Sequence, residues 1–353
     1  MIFNKVKVGK FTLKNRVVVS PMCQYSAKNG SPSKWHYSHL LKLLTSGSSM
    51  LMLESTAVNN TGKISHADLC LKTKKQSRDF KKLVTFLKSY SKKIPISLQI
   101  SHSGRKGSSH IPWVKSNTAL KKTQKSWRTV SASSIKKDKN WPIPKSLNQI
   151  EIKKIVKDFV KTSRLANSSG FDGIEIHMAH GYLLHQFLSP ISNIRKDQYG
   201  GSLKNRCRLA LEIAEKVRKI WPKKKILGAR ITGTDHLKKG IKLKDSIYLA
   251  HHLKKIGFDY ICVSSGGILT KTNLKFSKGF RLKFASKIKK RVKIITRTSG
   301  QLENLSFAEK AIQKKEIDLI AVGRNFIKDP TFIYKYSKLK KKKIIKNPYL
   351  RCI

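Results

Sequence analysis

Acidic residues are what this 353-residue chain most conspicuously lacks: 19 Asp and Glu stand against 76 Lys and Arg, a formal charge of +57. A charge of that size normally points to nucleic acid or an anionic surface. The lysines, however, pepper every segment, whereas a nucleic-acid footprint would gather them on one face with aromatics between. Lysine drift across a solvated surface is the simpler reading, and no specific nucleic acid is expected. Cysteine is scarce too. Cys23, Cys70, Cys207, Cys262 and Cys352 are widely spaced with no C-x-x-C pair, which argues against a disulfide framework and a zinc site. No window approaches the ~18 apolar residues of a membrane span, and MIFNKVKVGKF has no signal-peptide core. The expectation is therefore a reducing cytoplasm and no membrane partner.

A dinucleotide fingerprint is also missing: no G-x-G-x-x-G follows the first strand, which weighs against a doubly wound sheet. What is present is an alternation. Short apolar runs at 17–20, 50–53, 96–99, 173–177, 226–231, 260–264, 292–296 and 319–322 are separated by helix-period stretches such as 150–169 and 209–221. Eight such strands predict a (β/α)8 TIM barrel as one domain over 1–353. Residues 3–16 read as a hairpin turning at Gly9-Lys10. Residues 100–148, carrying Trp113, Trp127 and Trp141, break the rhythm and are expected to form an ordered flap over the barrel mouth. Residues 338–353 read as a basic tail.

Barrel chemistry sits at the C-terminal strand ends. Those ends supply Ser20, Pro21, Met22 and Cys23 with Tyr25 just beyond, then Ala57, Gln99, the His177/His180/Tyr182 group, Arg230, Gly300, and Gly323-Arg324. Gly300, Gly323 and Arg324 follow the seventh and eighth strands, where barrels hold phosphate, although each glycine alone suits an ordinary turn. Arg230 ends a core strand, where a guanidinium needs an anionic partner. Cys23 alone reads as a small buried apolar side chain. His177 and His180 form an H-x-x-H with no third ligand at suitable spacing, so no metal is expected. Two imidazoles beside a phenol suit donors to a substrate oxygen, with Tyr182 as proton donor, or else satisfied core histidines and a packing tyrosine.

The stretch HMAHGYLLHQFLSPISNIRKDQYGGSLKNR, with KVGKFTLKNRVVVSPMCQYS near the start, resembles the old yellow enzyme family, in particular the bacterial branch whose first strand ends in Pro-Met-Cys. The resemblance implies a barrel that binds FMN and takes hydride from NAD(P)H. It assigns Ser20, Pro21, Met22, Cys23, Ala57, Gln99, Arg230, Gly300, Gly323 and Arg324 to the cofactor, with Gln99 on the flavin's pyrimidine edge, Arg230 on N1–O2 and Cys23 as a redox tuner. It further implies ping-pong reduction of an enone or enal: His177 and His180 hold the carbonyl, Tyr182 protonates the α-carbon, and Tyr25 lines the pocket. Tyr349-Leu350-Arg351 matches an element that reaches into a neighbouring subunit, so a homodimer or homotetramer with Arg351 in the partner's substrate pocket is expected. Two rivals remain. An FMN barrel reducing uridine in tRNA would need an acidic cysteine on a mobile loop, yet Cys207 and Cys262 fall on a predicted helix and strand. A barrel drifted to polyanion binding would have lost its flavin ligands.

Overall fold

In the computed structural model, which describes residues 1–342 and 344, eight parallel strands close on themselves. They are β1 (Val17–Val19), β2 (Leu51–Ala57), β3 (Ile96–Ser101), β4 (Gly173–Met178), β5 (Ile226–Thr232), β6 (Tyr260–Ser264), β7 (Ile295–Thr298) and β8 (Leu319–Val322). Neighbours run β1-β8-β7-β6-β5-β4-β3-β2. The circle closes where Val19 N donates to Met50 O (3.0 Å) and Ser49 N to Val17 O (2.9 Å). Near-continuous apolar strand sequences follow from this closure, because each strand is buried both inside the barrel and under a helix.

The surrounding helices are α1 (Lys34–Leu44), α2 (Lys74–Tyr90), α3 (Gln149–Ser168), α4 (Leu203–Ile220), α5 (Leu243–Ile256), α6 (Leu282–Val292), α7 (Leu305–Gln313) and α8 (Phe332–Leu339). In α3, Ile152, Ile155, Val156 and Phe159 face the sheet while Lys153, Lys154, Lys157 and Lys161 face water. Asn148 and Glu151 start it with a reciprocal capping box, at 2.9 and 3.0 Å. No helix among the described residues is long and apolar enough to cross a membrane.

The hairpin pairs Val6–Val8 with Phe11–Leu13. Val6, Val8 and Leu13 pack against Met50, Ile226, Tyr260 and Leu319, which lie at the starts of barrel strands, so the hairpin plugs the N-terminal end. Several boundaries differ from expectation, two of them for a clear local reason. The seventh strand begins at Ile295, because Val292 closes α6 and Lys293 turns with positive φ. Arg297 and Thr298 are therefore strand residues, not loop. α4 begins at Leu203, six residues before its apolar period becomes visible, because Ser202 caps a polar first turn.

Candidate active site

Strand register brings the chemistry together. His177 lies beside Arg230 across β4 and β5, and Cys262 of β6 lies between Arg230 and Arg297 of β7. Below the mouth, in the dry barrel interior, Glu175 accepts hydrogen bonds from Gln99 Nε2 (2.7 Å), Tyr260 OH (2.9 Å) and the Arg297 guanidinium. Arg297 and Glu175 are both fully buried, so the pair is a charge compensation inside the core. Gln99 thus has one N–H pinned from beneath and keeps its carbonyl oxygen and second N–H for the mouth.

Above that layer, burial, then the charge on Arg230, holds the His177 and His180 imidazoles well below their usual pKa, so both are neutral. Ala179 N–H donates to His177 Nδ1 (3.1 Å), which puts the His177 proton on Nε2. That N–H meets His180 Nδ1 at 3.1 Å, and His180 Nε2–H in turn meets Ser264 Oγ at 2.6 Å. The result is a directed chain from the β4 tip to the β6 tip, in which each imidazole satisfies the next. His180 holds its place with φ +58, where Gly267 presses against its backbone. The Tyr182 ring stacks on His177, centroids 4.6 Å apart and planes 27° apart. Burial, then Cys23 and Tyr25, pushes the Tyr182 phenol well above its usual pKa, so its proton is in place at neutral pH. Lys106 Nζ lies 5.6 Å from the same ring and donates to His180 O at 2.8 Å. Burial, then Lys137 and Arg105, brings it down to about 7.

The β1 tip faces this group. Burial, then Glu54 and Asp68, raises the Cys23 thiol well above its usual pKa. Glu54 accepts from Gln24 N (2.9 Å) and contacts His36 Nε2 (3.2 Å), which fastens the backbone that follows Cys23. Tyr25, with φ +48, meets Trp113 of the 100–148 segment edge-on at 5.5 Å. Ala57, 2% exposed, ends β2.

A cavity of about 610 Å³ opens beside the histidines. Ser20, Met22, Arg230, Gly300, Gly323 and Arg324 line it. Pro21 sits in the same β1 tip between Ser20 and Met22. A side chain on Gly300 (φ +128) would meet the Phe280 ring at 3.0 Å, and one on Gly323 would meet Met22 Sδ at 3.3 Å. The glycines keep this wall open. Arg230 is 8% exposed; among the described residues its Nε has no hydrogen-bond partner and its one side-chain bond is a long 3.4 Å contact to Ser299 Oγ. An orphaned buried guanidinium at the floor of a glycine-walled, cation-lined cavity fits a flat anionic group carrying a phosphate, as FMN does.

Sequence reading missed Arg281. Its Nε donates to Ser265 Oγ (3.2 Å) and its guanidinium to Ser299 Oγ (3.3 Å), which sets a further cation on the same cavity wall. Nothing among 76 cations marked it, since it sits in the irregular segment before α6. Ser264 and Glu175 were legible only as a strand-end serine and a carboxylate within an apolar run. Arg351 lies outside the described residues.

The chain matches the NADH:flavin oxidoreductase / NADH oxidase family over residues 1–343. It is 34% identical over 343 residues to an NADPH dehydrogenase of Clostridium acetobutylicum, covering 96% of this chain and 95% of that one. Among solved structures, morphinone reductase superposes with TM-score 0.78 at 23% identity, over 96% of this chain and 89% of that one. 2-Naphthoyl-CoA reductase superposes with TM-score 0.85 at 22% identity over 97% of this chain, which spans about half (52%) of that protein. Both are likenesses of fold. With the family match spanning nearly the whole chain, this protein belongs to the NADH:flavin oxidoreductase / NADH oxidase family, the old yellow enzymes, which are FMN-dependent oxidoreductases.

Proposed function

We propose that this protein is an ene-reductase: it takes hydride from NAD(P)H and reduces the electron-poor C=C bond of an α,β-unsaturated carbonyl compound, the two half-reactions sharing one site in ping-pong order. The observation that carries this reading is the Tyr182 phenol, protonated and stacked on His177 at the end of a histidine chain that opens beside Arg230. FMN, when bound, accepts hydride from the nicotinamide and returns it to the alkene. Ser20, Met22, Gly300, Gly323 and Arg324 would hold its phosphate-bearing side, with Gln99 and Arg230 at the ring.

The protein's own part is orientation and proton supply. A substrate carbonyl takes a hydrogen bond from an imidazole N–H by displacing one link of the chain, either His177 Nε2–H to His180 or His180 Nε2–H to Ser264. That bond draws electron density toward the oxygen and leaves the β-carbon electron-poor. Tyr182 then gives its proton to the α-carbon; its raised pKa keeps the proton available across the physiological range. Trp113 meets Tyr25 edge-on, which supports the 100–148 segment as the flap. Cys207 and Cys262 are fully buried in α4 and β6, which counts against either as the acid of the rival uridine chemistry.

A homodimer or homotetramer completed by Arg351, acting in the cytoplasm as one catalytic domain, is part of the same proposal. The test is the visible spectrum of the purified protein. A flavin spectrum that bleaches with anaerobic NADPH and returns on adding cyclohexenone is expected. Colourless protein that FMN cannot reconstitute would overturn the reading, and bleaching without alkene reoxidation would confine the error to His177, His180 and Tyr182.

A further inference from the structure

The cavity beside the histidines is not the only large one among the described residues. A second, of about 860 Å³, lies between α6 and α7 under the segment that leads into α6. Lys283, Lys287 and Lys290 of α6 line it, with Lys310 and Lys314 of α7 and Lys275 and Lys278 of the segment above; the one carboxylate on its wall is Glu316. The lysines at 283/287 and at 310/314 are spaced i,i+4, so each helix carries a like-charged stripe that opposes its own stability. None of the seven makes an ion pair or a side-chain hydrogen bond among the described residues, whereas Lys289, on another face of α6, pairs with Asp318 at 2.8 Å. The wall between the cations is aromatic and apolar, from Phe280, Phe307 and Leu282. His236 also lines it, and its buried Nε2 has no hydrogen-bond partner among the described residues.

Cations around an aromatic wall suit a base carrying several phosphates. The cavity also adjoins the cofactor cavity: Phe280 lines both, and Gly279 N donates to Gly300 O at 2.9 Å. A ligand that reaches from this cavity past the FMN-holding one to the histidines must therefore be long, with a ring at one end and a phosphate-bearing group at the other. We infer that this lysine cavity holds the adenosine end of the hydride donor, and that its cation excess selects the 2′-phosphate and hence NADPH over NADH. The inference rests on the ene-reductase reading for its hydride donor, but its binding site can be tested separately.

Lysine drift is the competing explanation, so the experiment compares two variants of equal charge. Lys287→Gln/Lys310→Gln/Lys314→Gln removes three of the seven cations from the cavity wall; Lys153→Gln/Lys157→Gln/Lys161→Gln removes three exposed lysines from α3. Flavin reduction by NADPH and by NADH is followed in rapid mixing, and binding of adenosine 2′,5′-bisphosphate by calorimetry. The cavity variant is expected to need about tenfold more NADPH for half-saturation, at roughly twofold per exposed pairing. Its NADH dependence and limiting rate should hold, and adenosine 2′,5′-bisphosphate should bind about tenfold more weakly, with the α3 variant like the parent in each respect. Equal weakening of both donors, or equal losses in the two variants, would overturn the assignment. Should the bisphosphate bind only with the lysines present while neither donor bleaches the flavin, the site stands and the ene-reductase reading fails.

Discussion

Arg230 and Arg281 converge on a single hydroxyl: their guanidiniums approach Ser299 Oγ at 3.4 and 3.3 Å from β5 and from the segment before α6. Two like charges sharing one neutral acceptor repel each other, and burial, then Arg230, lowers the Arg281 pKa to about 10. An anion in the cavity relieves both costs. Arg281→Gln is accordingly expected to weaken FMN binding by about tenfold or more, in line with roughly 1.5–3 kcal/mol for a charged hydrogen bond. It should also lower the flavin's reduction potential, because reduced flavin carries the greater negative charge. Fluorescence titration of apoprotein and photoreduction against a reference dye measure the two effects; unchanged values would place Arg281 outside the cofactor's reach.

Tyr182 is separable from the histidines on which it stacks. Tyr182→Phe keeps the ring contact with His177 and removes only the proton. Reoxidation of reduced enzyme by cyclohexenone should slow about 10²–10⁴-fold while reduction by NADPH is unchanged. Retained alkene turnover would assign the proton to another group, of which Lys106, 5.6 Å from the ring, is the nearest cation.

The barrel was legible because closure makes every strand a short apolar run between amphipathic helices, and the site because barrel chemistry gathers at strand ends. His177, Arg230, Gly300 and Gly323 could be placed on that ground alone; the last three line one cavity, and His177 lies beside Arg230 in the strand register. Long-range pairing was not legible. Arg297 reads as loop until Glu175, 122 positions earlier, is seen to compensate it, and that compensation is what allows β7 to extend through an arginine. The histidine chain was hidden for a related reason. H-x-x-H spacing suggests two donors aimed at one oxygen, but their order depends on Ser264, which strand pairing supplies from another part of the chain.

The Glu175–Arg297 pair should therefore behave as a unit. Glu175→Ala leaves a guanidinium uncompensated in the dry interior and unpairs Gln99 and Tyr260; a loss of about 3–5 kcal/mol is expected. Glu175→Gln combined with Arg297→Met removes both charges and keeps an amide oxygen for Tyr260. The double variant should recover most of the loss, since apolar replacement of a buried pair is often close to neutral. Urea unfolding of the parent, single and double variants tests this. A double variant no more stable than Glu175→Ala would mean that the pair does more than balance itself.

Acid should unfold this protein through its buried histidines. Burial depresses His102 to about 3 and, with His36 and Lys42 adding, His39 to about 4, while His177 and His180 also fall well below their usual value. A base whose pKa is lowered by folding is neutral in both states above about 6.5, but below that the unfolded chain binds protons that the folded chain refuses. Stability is therefore full above that pH and lost as it falls toward 3, by about 1.4 kcal/mol per pH unit for each fully enclosed histidine and by less for the partly exposed His39. Asp68 works in the opposite sense: burial raises it to about 7, so between its usual range and that value the folded state holds the extra proton and offsets part of the loss. His102 is the cleanest probe, because it is fully enclosed, with Nδ1 accepting from Gly104 N and Nε2 lacking a hydrogen-bond partner. His102→Gln should flatten the stability–pH curve between pH 4 and 6 by about one such increment per unit, measured by urea unfolding at fixed ionic strength. A slope unchanged by the substitution would mean that His102 takes up its proton in the folded state.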